Sequence, residues 1–371
     1  MDTENVYKII PPPSHISGLS AGHLRLLADT VAYEQHPAYQ HLISNRRYRT
    51  RILSFWIFSK SFFLILLKRL IRYEMIPLDI RKPSSKGGYA QLVLAALGNM
   101  FGFQKNQAIP LEKGIAADIY ETFSKNGCAV IQLPEEAYMQ LAQASAGHFS
   151  MLKEHRRRSS TDKSRDFEES RMYVRRASDS DLFGLIESVL RQSGALDAAS
   201  HHLKREARLV DVNPQINDAS DDFWRRIFPD LQMKHPATAY FHRDASGGDI
   251  KFIFYLSDVG ETGGPFSYVL GSHNASLPRV DDYICEANDS NGLSGTSRKS
   301  RERFSALPKF LRKKGALGND LPEGELAQSI LQSQWSICAP KGAVVMFATK
   351  GIHRGGMVMD GERLVITCVV G

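Results

Sequence analysis

Two kinds of hydrophobic spacing divide the chain. Up to about residue 110 the apolar positions recur as on helices, and they predict helices over His23 to Tyr33, Pro37 to Tyr73 and Tyr89 to Phe101, with the loop RKPSSKGG (Arg81 to Gly88) between the last two. A helical stretch then runs from Leu111 to Lys125, followed by the short apolar run CAVIQL (Cys128 to Leu133) and a helix opening at Pro134, whose fixed φ suits a first turn. Charges of both signs crowd Glu154 to Arg176, the pattern of a solvated helix face or loop. From about Arg208 the spacing becomes that of strands: ARLVDV (Ala207 to Val212), TAYFH (Thr238 to His242), DIKFIFYL (Asp249 to Leu256), FSYVL (Phe266 to Leu270), AVVMFA (Ala343 to Ala348) and RLVITCVV (Arg363 to Val370). Separated by Gly-rich turns, these runs predict a mainly β core, a barrel or jelly roll, with flanking helices. Between Ser276 and Leu331 the strand signal stops, and the polar stretches there predict a lid or surface excursion. The chain thus divides into a helical N-terminal region, 1–110, and a β domain, 111–371, with an insert over about 276–331.

The most apolar run, ILSFWIFSKSFFLILLKRLI (Ile52 to Ile71), approaches the length of a membrane span. Ser54, Ser61, Lys68 and Arg72 recur in it at spacings that put them on one polar stripe with Arg47 and Arg51. Lys60 lies on the opposite side, where in mid-bilayer it would cost roughly 2.5 kcal/mol or more. The run therefore predicts an amphipathic helix, packed against its own domain or attached peripherally to an anionic leaflet.

Composition narrows the class. With 371 residues, 43% hydrophobic and 23% charged, the chain has the make-up of a globular protein, which excludes disordered, collagen-like and disulfide-scaffold classes. Cys128, Cys285, Cys338 and Cys368 lie far apart and form no zinc-binding pattern, so a reducing compartment is expected. MDTENVYKIIPPPS carries early acids and prolines where a secretory signal would be basic and then apolar, and it predicts a cytoplasmic protein. The net charge of +7 is local: Arg46 to Lys82 holds ten basic residues against Glu74 and Asp79, giving +8 there and −1 elsewhere. Such a distribution argues against a nucleic-acid-binding surface and leaves a local anionic partner for 46–82. The basic insert, from Arg298 to Lys314, reads as a solvated face or as a lid for a phosphate- or CoA-bearing group.

Chemistry concentrates in the β region. His242-Arg243-Asp244 ends a predicted strand, where residues two apart project to one face and can reach one ion. H-x-D alone is a weak signal, but His353 follows a buried-looking strand in ATKGIHRGG, and Arg363 opens the last strand. Two His and one carboxylate on a β scaffold are the ligand set of non-haem Fe(II) sites, with positions left open for co-substrate and dioxygen. A buried Arg beside them supplies a bidentate clamp for a carboxylate. Lys251, Ile253 and Tyr255 share a strand face by the two-residue period. Lys251 or Tyr255 is thus a candidate co-substrate contact, against the plainer reading of a strand-end Lys and a core Tyr. His273 reads as turn-stabilising or as supporting the site, His201, His202 and His235 as ordinary, and Trp56, Trp224 and Trp335 as packing residues. For His353 and Arg363 both to face inward, a tight Asp360-Gly361 hairpin would not do; a three-residue connection or bulge pairing Met359 with Arg363 is expected.

Together His242-x-Asp244, KFIFYLSDVGETGGPFSYVLGSH (Lys251 to His273), APKGAVVMFATKGIHRGG (Ala339 to Gly356) and Arg363 resemble the phytanoyl-CoA dioxygenase-like branch of the Fe(II)/2-oxoglutarate oxygenases. The resemblance spans roughly residues 112 to 371, outside the insert. It implies a double-stranded β-helix with Fe(II) held by His242, Asp244 and His353, with Arg363 on the distal carboxylate of 2-oxoglutarate and with dioxygen as oxidant. Asp244 stands where the related halogenases have Ala or Gly, so the resemblance favours hydroxylation of an unactivated C–H bond, in a small-molecule, lipid or lipid-linked substrate. Gly355 lacks the hydroxyl that some members turn toward 2-oxoglutarate. Two other readings remain open on the residues themselves: a metal-binding jelly roll without 2-oxoglutarate chemistry, such as a cupin-like isomerase or sugar-binding module, and a catalytically silent adaptor that works through residues 46–82.

Overall fold

The computed structural model describes residues 6–24, 48–71, 86–100, 109–111, 113–157, 167–168, 170–219, 241–244, 250–275, 279–290, 303, 306–312 and 324–371. The strands are β1 (Lys8–Ile10), β2 (Cys128–Gln132), β3 (Phe167–Glu168), β4 (Arg171–Met172), β5 (Leu209–Asp218), β6 (Ile250–Tyr255), β7 (Ser267–Val269), β8 (Gln334–Ser336), β9 (Ala343–Ala348), β10 (His353–Arg354) and β11 (Glu362–Val370). A large antiparallel sheet runs β1-β2-β9-β6-β11-β5-β4-β3, and a small one runs β10-β7-β8. A bridge between His242 and His353 extends the small sheet by one more segment. From β5 onward the chain passes repeatedly from one sheet to the other: β5 large, His242 small, β6 large, β7 and β8 small, β9 large, β10 small, β11 large. This interleaving is a double-stranded β-helix, a jelly roll closed by two sheets.

The residue pattern explains why these strands read as nearly continuous apolar runs. Helices α3 (Ile115–Asn126), α4 (Glu135–Arg157), α5 (Ser180–Gln192) and α6 (Ala195–Leu203) cover the outer face of the large sheet, where Phe252, Phe254, Val344, Met346, Ile366 and Cys368 are buried. Alternate residues of the same strands, among them Ile253, Tyr255, Val345, Phe347 and Val365, turn inward against Phe266, Tyr268 and Trp335 of the small-sheet side. With both faces covered, period two still sorts the residues but no longer shows as polar alternation. Trp335 packs here as expected; Trp224 and His235 lie outside the described residues.

Three expectations need correction. The first described residues do not stand apart as a helical region, because β1 pairs with β2 (Ile9 opposite Ile131) and the Leu19 amide bonds to the Leu270 carbonyl. His353 and Arg363 do not belong to one hairpin of any kind: β10 pairs with β7, whereas β11 pairs with β5 and β6. Residues 355–361 cross between the sheets instead, with the Met359 amide on the Thr262 carbonyl and Arg363 opposite Asn217. At the crossing a Cβ on Gly356 would lie 2.3 Å from the Pro265 carbonyl oxygen, so no larger residue lets the two segments pass.

The third correction concerns the parts outside the barrel. The insert carries α7 (Arg279–Ser290), α8 (Lys309–Arg312) and α9 (Glu325–Gln332). Its buried Ala287, Leu307 and Leu311 pack on Phe58 and Ile65 of the long helix α1 (Tyr48–Leu70). The covered side of α1 also carries Ser54, at 3% exposure, and the half-buried Ser61, so part of the predicted polar stripe faces inward. Trp56, expected to pack, is 66% exposed. The next helix, α2, spans Lys86–Met100. The predicted helix over His23 to Tyr33 is described only for 21–24.

Candidate metal centre

His242 and His353 are brought side by side by main chain. Each amide bonds to the other's carbonyl at 2.9 Å, and the two rings lie 4.5 Å apart between centroids. Asp244, two residues on, is fastened by its amide to the Thr349 carbonyl at 3.0 Å, beside the turn that leads to His353. One ligand atom from each of His242, Asp244 and His353 falls within 4.8 Å of the others. The His353 Nε2 stands 3.3 Å from one Asp244 oxygen, and the His242 Nε2 stands 3.7 Å from the other.

The surroundings fix how these groups present themselves. His353 is buried, with its Nδ1 at 2.9 Å from the Gly351 carbonyl. A carbonyl only accepts, so Nδ1 carries the hydrogen there and Nε2 is the ring atom turned toward the carboxylate of Asp244. Two imidazole nitrogens and a carboxylate this close together are a ligand set that suits a divalent transition metal. Burial alone would raise the Asp244 carboxyl, but His353, and then Lys251 and His242, hold it well below the usual carboxylate range. Lys251 reaches it directly, with Nζ 2.8 Å from Oδ2. Phe347 and Phe266 wall the His353 ring, with centroids at 4.9 and 5.7 Å.

Arg363 lies on the inner face of β11, two residues before the inward Val365. It is 7% exposed, and among the described residues no carboxylate pairs with it. Its Nε has no hydrogen-bond partner. Burial lowers the guanidinium from its ordinary value, though not enough to discharge an arginine. A buried, unpaired cation is costly unless an anion meets it, so the geometry asks for an acidic ligand here. Gly355 leaves that space open: a Cβ there would come only to 3.9 Å from the Arg363 Nη2.

Tyr255 and Lys251 do share the inner face of β6. The Tyr255 hydroxyl donates to the Ile337 carbonyl and accepts from the Phe266 amide, both at 3.1 Å, which ties β6 to the opposite sheet. Burial raises this phenol to about 12, so it stays protonated. His273 lies apart from the triad, its Nε2 at 3.0 Å from the Ser124 carbonyl, where it braces a turn. His201 and His202 sit on α6 against Tyr120 and Phe123. Sequence reasoning missed the supporting carbonyls of Thr349 and Gly351. Their only trace is the turn ATKGIHRGG itself, since main-chain acceptors leave no residue-type signal.

No family model matches the chain, and no curated protein matches it. Solved structures similar to it include AviO1 from Streptomyces viridochromogenes Tue57, at 14% identity and TM-score 0.40, covering 71% of this chain and 96% of that one. The non-heme alpha ketoglutarate dependent carbocyclase SnoK from nogalamycin biosynthesis aligns at 15% identity and TM-score 0.41, over 71% of this chain and 85% of SnoK. EctD from S. alaskensis with bound Fe aligns at 10% identity and TM-score 0.40, over 71% and 81%. At such values the site stands on its own distances.

Proposed function

We propose that the chain is an Fe(II)- and 2-oxoglutarate-dependent oxygenase that hydroxylates an unactivated C–H bond of a small-molecule, lipid or lipid-linked substrate. The observation that carries this reading is the pairing of a His/Asp/His ligand set with a buried, unpaired Arg363 on the inner face of the same barrel. Fe(II), when bound with the oxo acid, would supply the dioxygen-activating chemistry. The protein's share is positioning. His242, Asp244 and His353 would hold the ion. The Gly351 carbonyl keeps the His353 lone pair directed at the ion, and Lys251 neutralises one oxygen of Asp244 while the other remains free to ligate. Arg363 receives the distal carboxylate of 2-oxoglutarate in a two-point contact. Phe266 and Phe347 keep water from the His353 side.

The test is an anaerobic titration of Fe(II)-loaded protein with 2-oxoglutarate, following the weak visible charge-transfer absorption of the chelate. The band is expected in the wild type, is absent in His353→Ala, and requires about 100-fold more 2-oxoglutarate in Arg363→Ala, the loss of a two-point charged contact. Iron bound with no band at any co-substrate concentration refutes the oxygenase and leaves a metal-binding jelly roll.

A further inference from the structure

Helix α1 is turned the unexpected way round. Phe58 and Ile65 are each 5% exposed against the insert, whereas Trp56, Phe63 and Leu70 are 66%, 63% and 60% exposed. With Ile52, Phe55, Leu66 and Leu67, also exposed, they form one stripe along the outer side of the helix. At 1.5 Å per residue the stripe from Ile52 to Leu70 is about 27 Å long. Among the described residues nothing packs on it, and monomeric proteins rarely leave such a surface in water. α2 adds exposed Val93, Leu94 and Leu97.

We infer that the outer face of α1 docks the protein on the surface of an anionic lipid leaflet, with the helix lying in the interface plane. Three observations choose lipid over a protein partner. The stripe is aromatic at its N-terminal half and leucine-rich at its C-terminal half, the make-up of interfacial helices. Lys60 is exposed at its edge, where a long aliphatic stem reaches headgroup phosphates while neighbouring Trp56 and Phe63 enter the acyl boundary. All five charged residues of α1, Arg49, Arg51, Lys60, Lys68 and Arg69, are basic, and Arg51, Lys60 and Lys68 are exposed, so the helix itself attracts an anionic surface. No helix among the described residues is long and apolar enough to cross a membrane, which fits a helix that lies on the surface. The inverted orientation supplies the anchor: Phe58, Ile65 and the Arg69–Glu286 ion pair fasten α1 to the insert, and the same insert reaches the barrel through Ala327 and Ile330 of α9, packed beside Phe241 and Ile352, the neighbours of His242 and His353. This inference does not depend on the reading of the metal centre.

The experiment mixes the full chain with vesicles of phosphatidylcholine alone and of phosphatidylcholine with phosphatidylglycerol, reading co-sedimentation and tryptophan emission. The chain is expected to sediment with the mixed vesicles, to release as salt is raised, and to show a blue shift that Trp56→Phe abolishes while still sedimenting. Phe63→Ser should weaken partitioning about tenfold and Lys60→Glu about fivefold, both with the wild-type melting temperature, because each side chain is exposed. Sedimentation no greater with mixed than with neutral vesicles overturns the proposal, as does partitioning indifferent to Phe63→Ser. A dimer in light scattering that Phe63→Ser dissociates also overturns it, by showing that a second copy covers the face.

Discussion

Every residue of β9, from Ala343 to Ala348, is buried, while α1, which carries the most apolar run of the chain, buries Phe58 and Ile65 and leaves Trp56, Phe63 and Leu70 in solvent. The strand lies between a helical layer and a second sheet, so both of its faces are covered by its own domain. Among the described residues the helix packs on the insert alone. Apolarity states how much surface wants cover; only the number of neighbouring layers decides how much receives it. In the barrel, position is also function: shifting β11 by one residue would turn Arg363 outward and Leu364 inward, whereas rotating α1 would leave the metal ligands untouched.

That difference can be broken most directly by one substitution made twice. Ile366 in the core and Ile65 under α1 are both buried isoleucines. Ile366→Ala should cost about 2–5 kcal/mol of global stability, read as a lowered urea midpoint, because the sheet and helical layer around it cannot collapse into the cavity. Ile65→Ala should leave that midpoint unchanged and instead speed amide exchange across α1, since the helix opens as a local unit. If both variants lower the global midpoint equally, the helical layer is part of the cooperative core and the contrast is wrong.

Acid sharpens the comparison at an intermediate size. His202 packs edge-on to Phe123, with ring centroids 4.9 Å apart, and burial, then Lys350 and neighbouring histidines, lowers it to about 4. In the unfolded chain a histidine titrates near 6.5. Between those values the unfolded state takes up a proton that the folded state refuses, so stability is full above about pH 6.5, falls through the window and levels off below about pH 4 for this group. The loss should reach about 2 kcal/mol by pH 5 and about 3 kcal/mol in all. Thermal melts from pH 7 to 4 should show it, and His202→Gln should flatten the profile. An unchanged slope in that variant would place the acid sensitivity elsewhere, and α1 amides should keep their protection, relative to the intrinsic exchange rate at each pH, throughout.

Much of the barrel was legible in the residues because its strands carry their own period. AVVMFA is β9 residue for residue, and β6 and β11 begin or end within one residue of the runs that announce them. His242-x-Asp244 was legible as a spacing; in the fold His242 makes a single bridge to His353 and Asp244 lies just past it, held by the Thr349 carbonyl. What failed was whatever depends on a distant partner. β1, β8 and β10 are two or three residues long, too short for any period to register. The passage from His353 to Arg363 carries the turn residues of a hairpin, yet their strands pair with Tyr268 and Asn217, so the sheet switch is decided far away in the sequence. The orientation of α1 was hidden in another way. A helical repeat shows which residues share a side and is silent on which side is covered; the shape and position of α7 and α8 decided that.

The smallest effect tests the edge between the two regions. Arg69 and Glu286 join α1 to α7 across 3.2 Å, with side chains 33% and 23% exposed. Water still reaches the pair and both side chains lose freedom in making it, so a double-mutant cycle over Arg69→Ala and Glu286→Ala should give a coupling of only about 0.2–1 kcal/mol, read in the exchange of α1 amides, and less at high salt. A coupling well above that range would mean that the pair is shielded from water and that α1 is held by a buried polar contact as well as by Phe58 and Ile65. In that case Ile65→Ala would no longer isolate the helix, and the layer would have to be counted with the core from which its exposure now separates it.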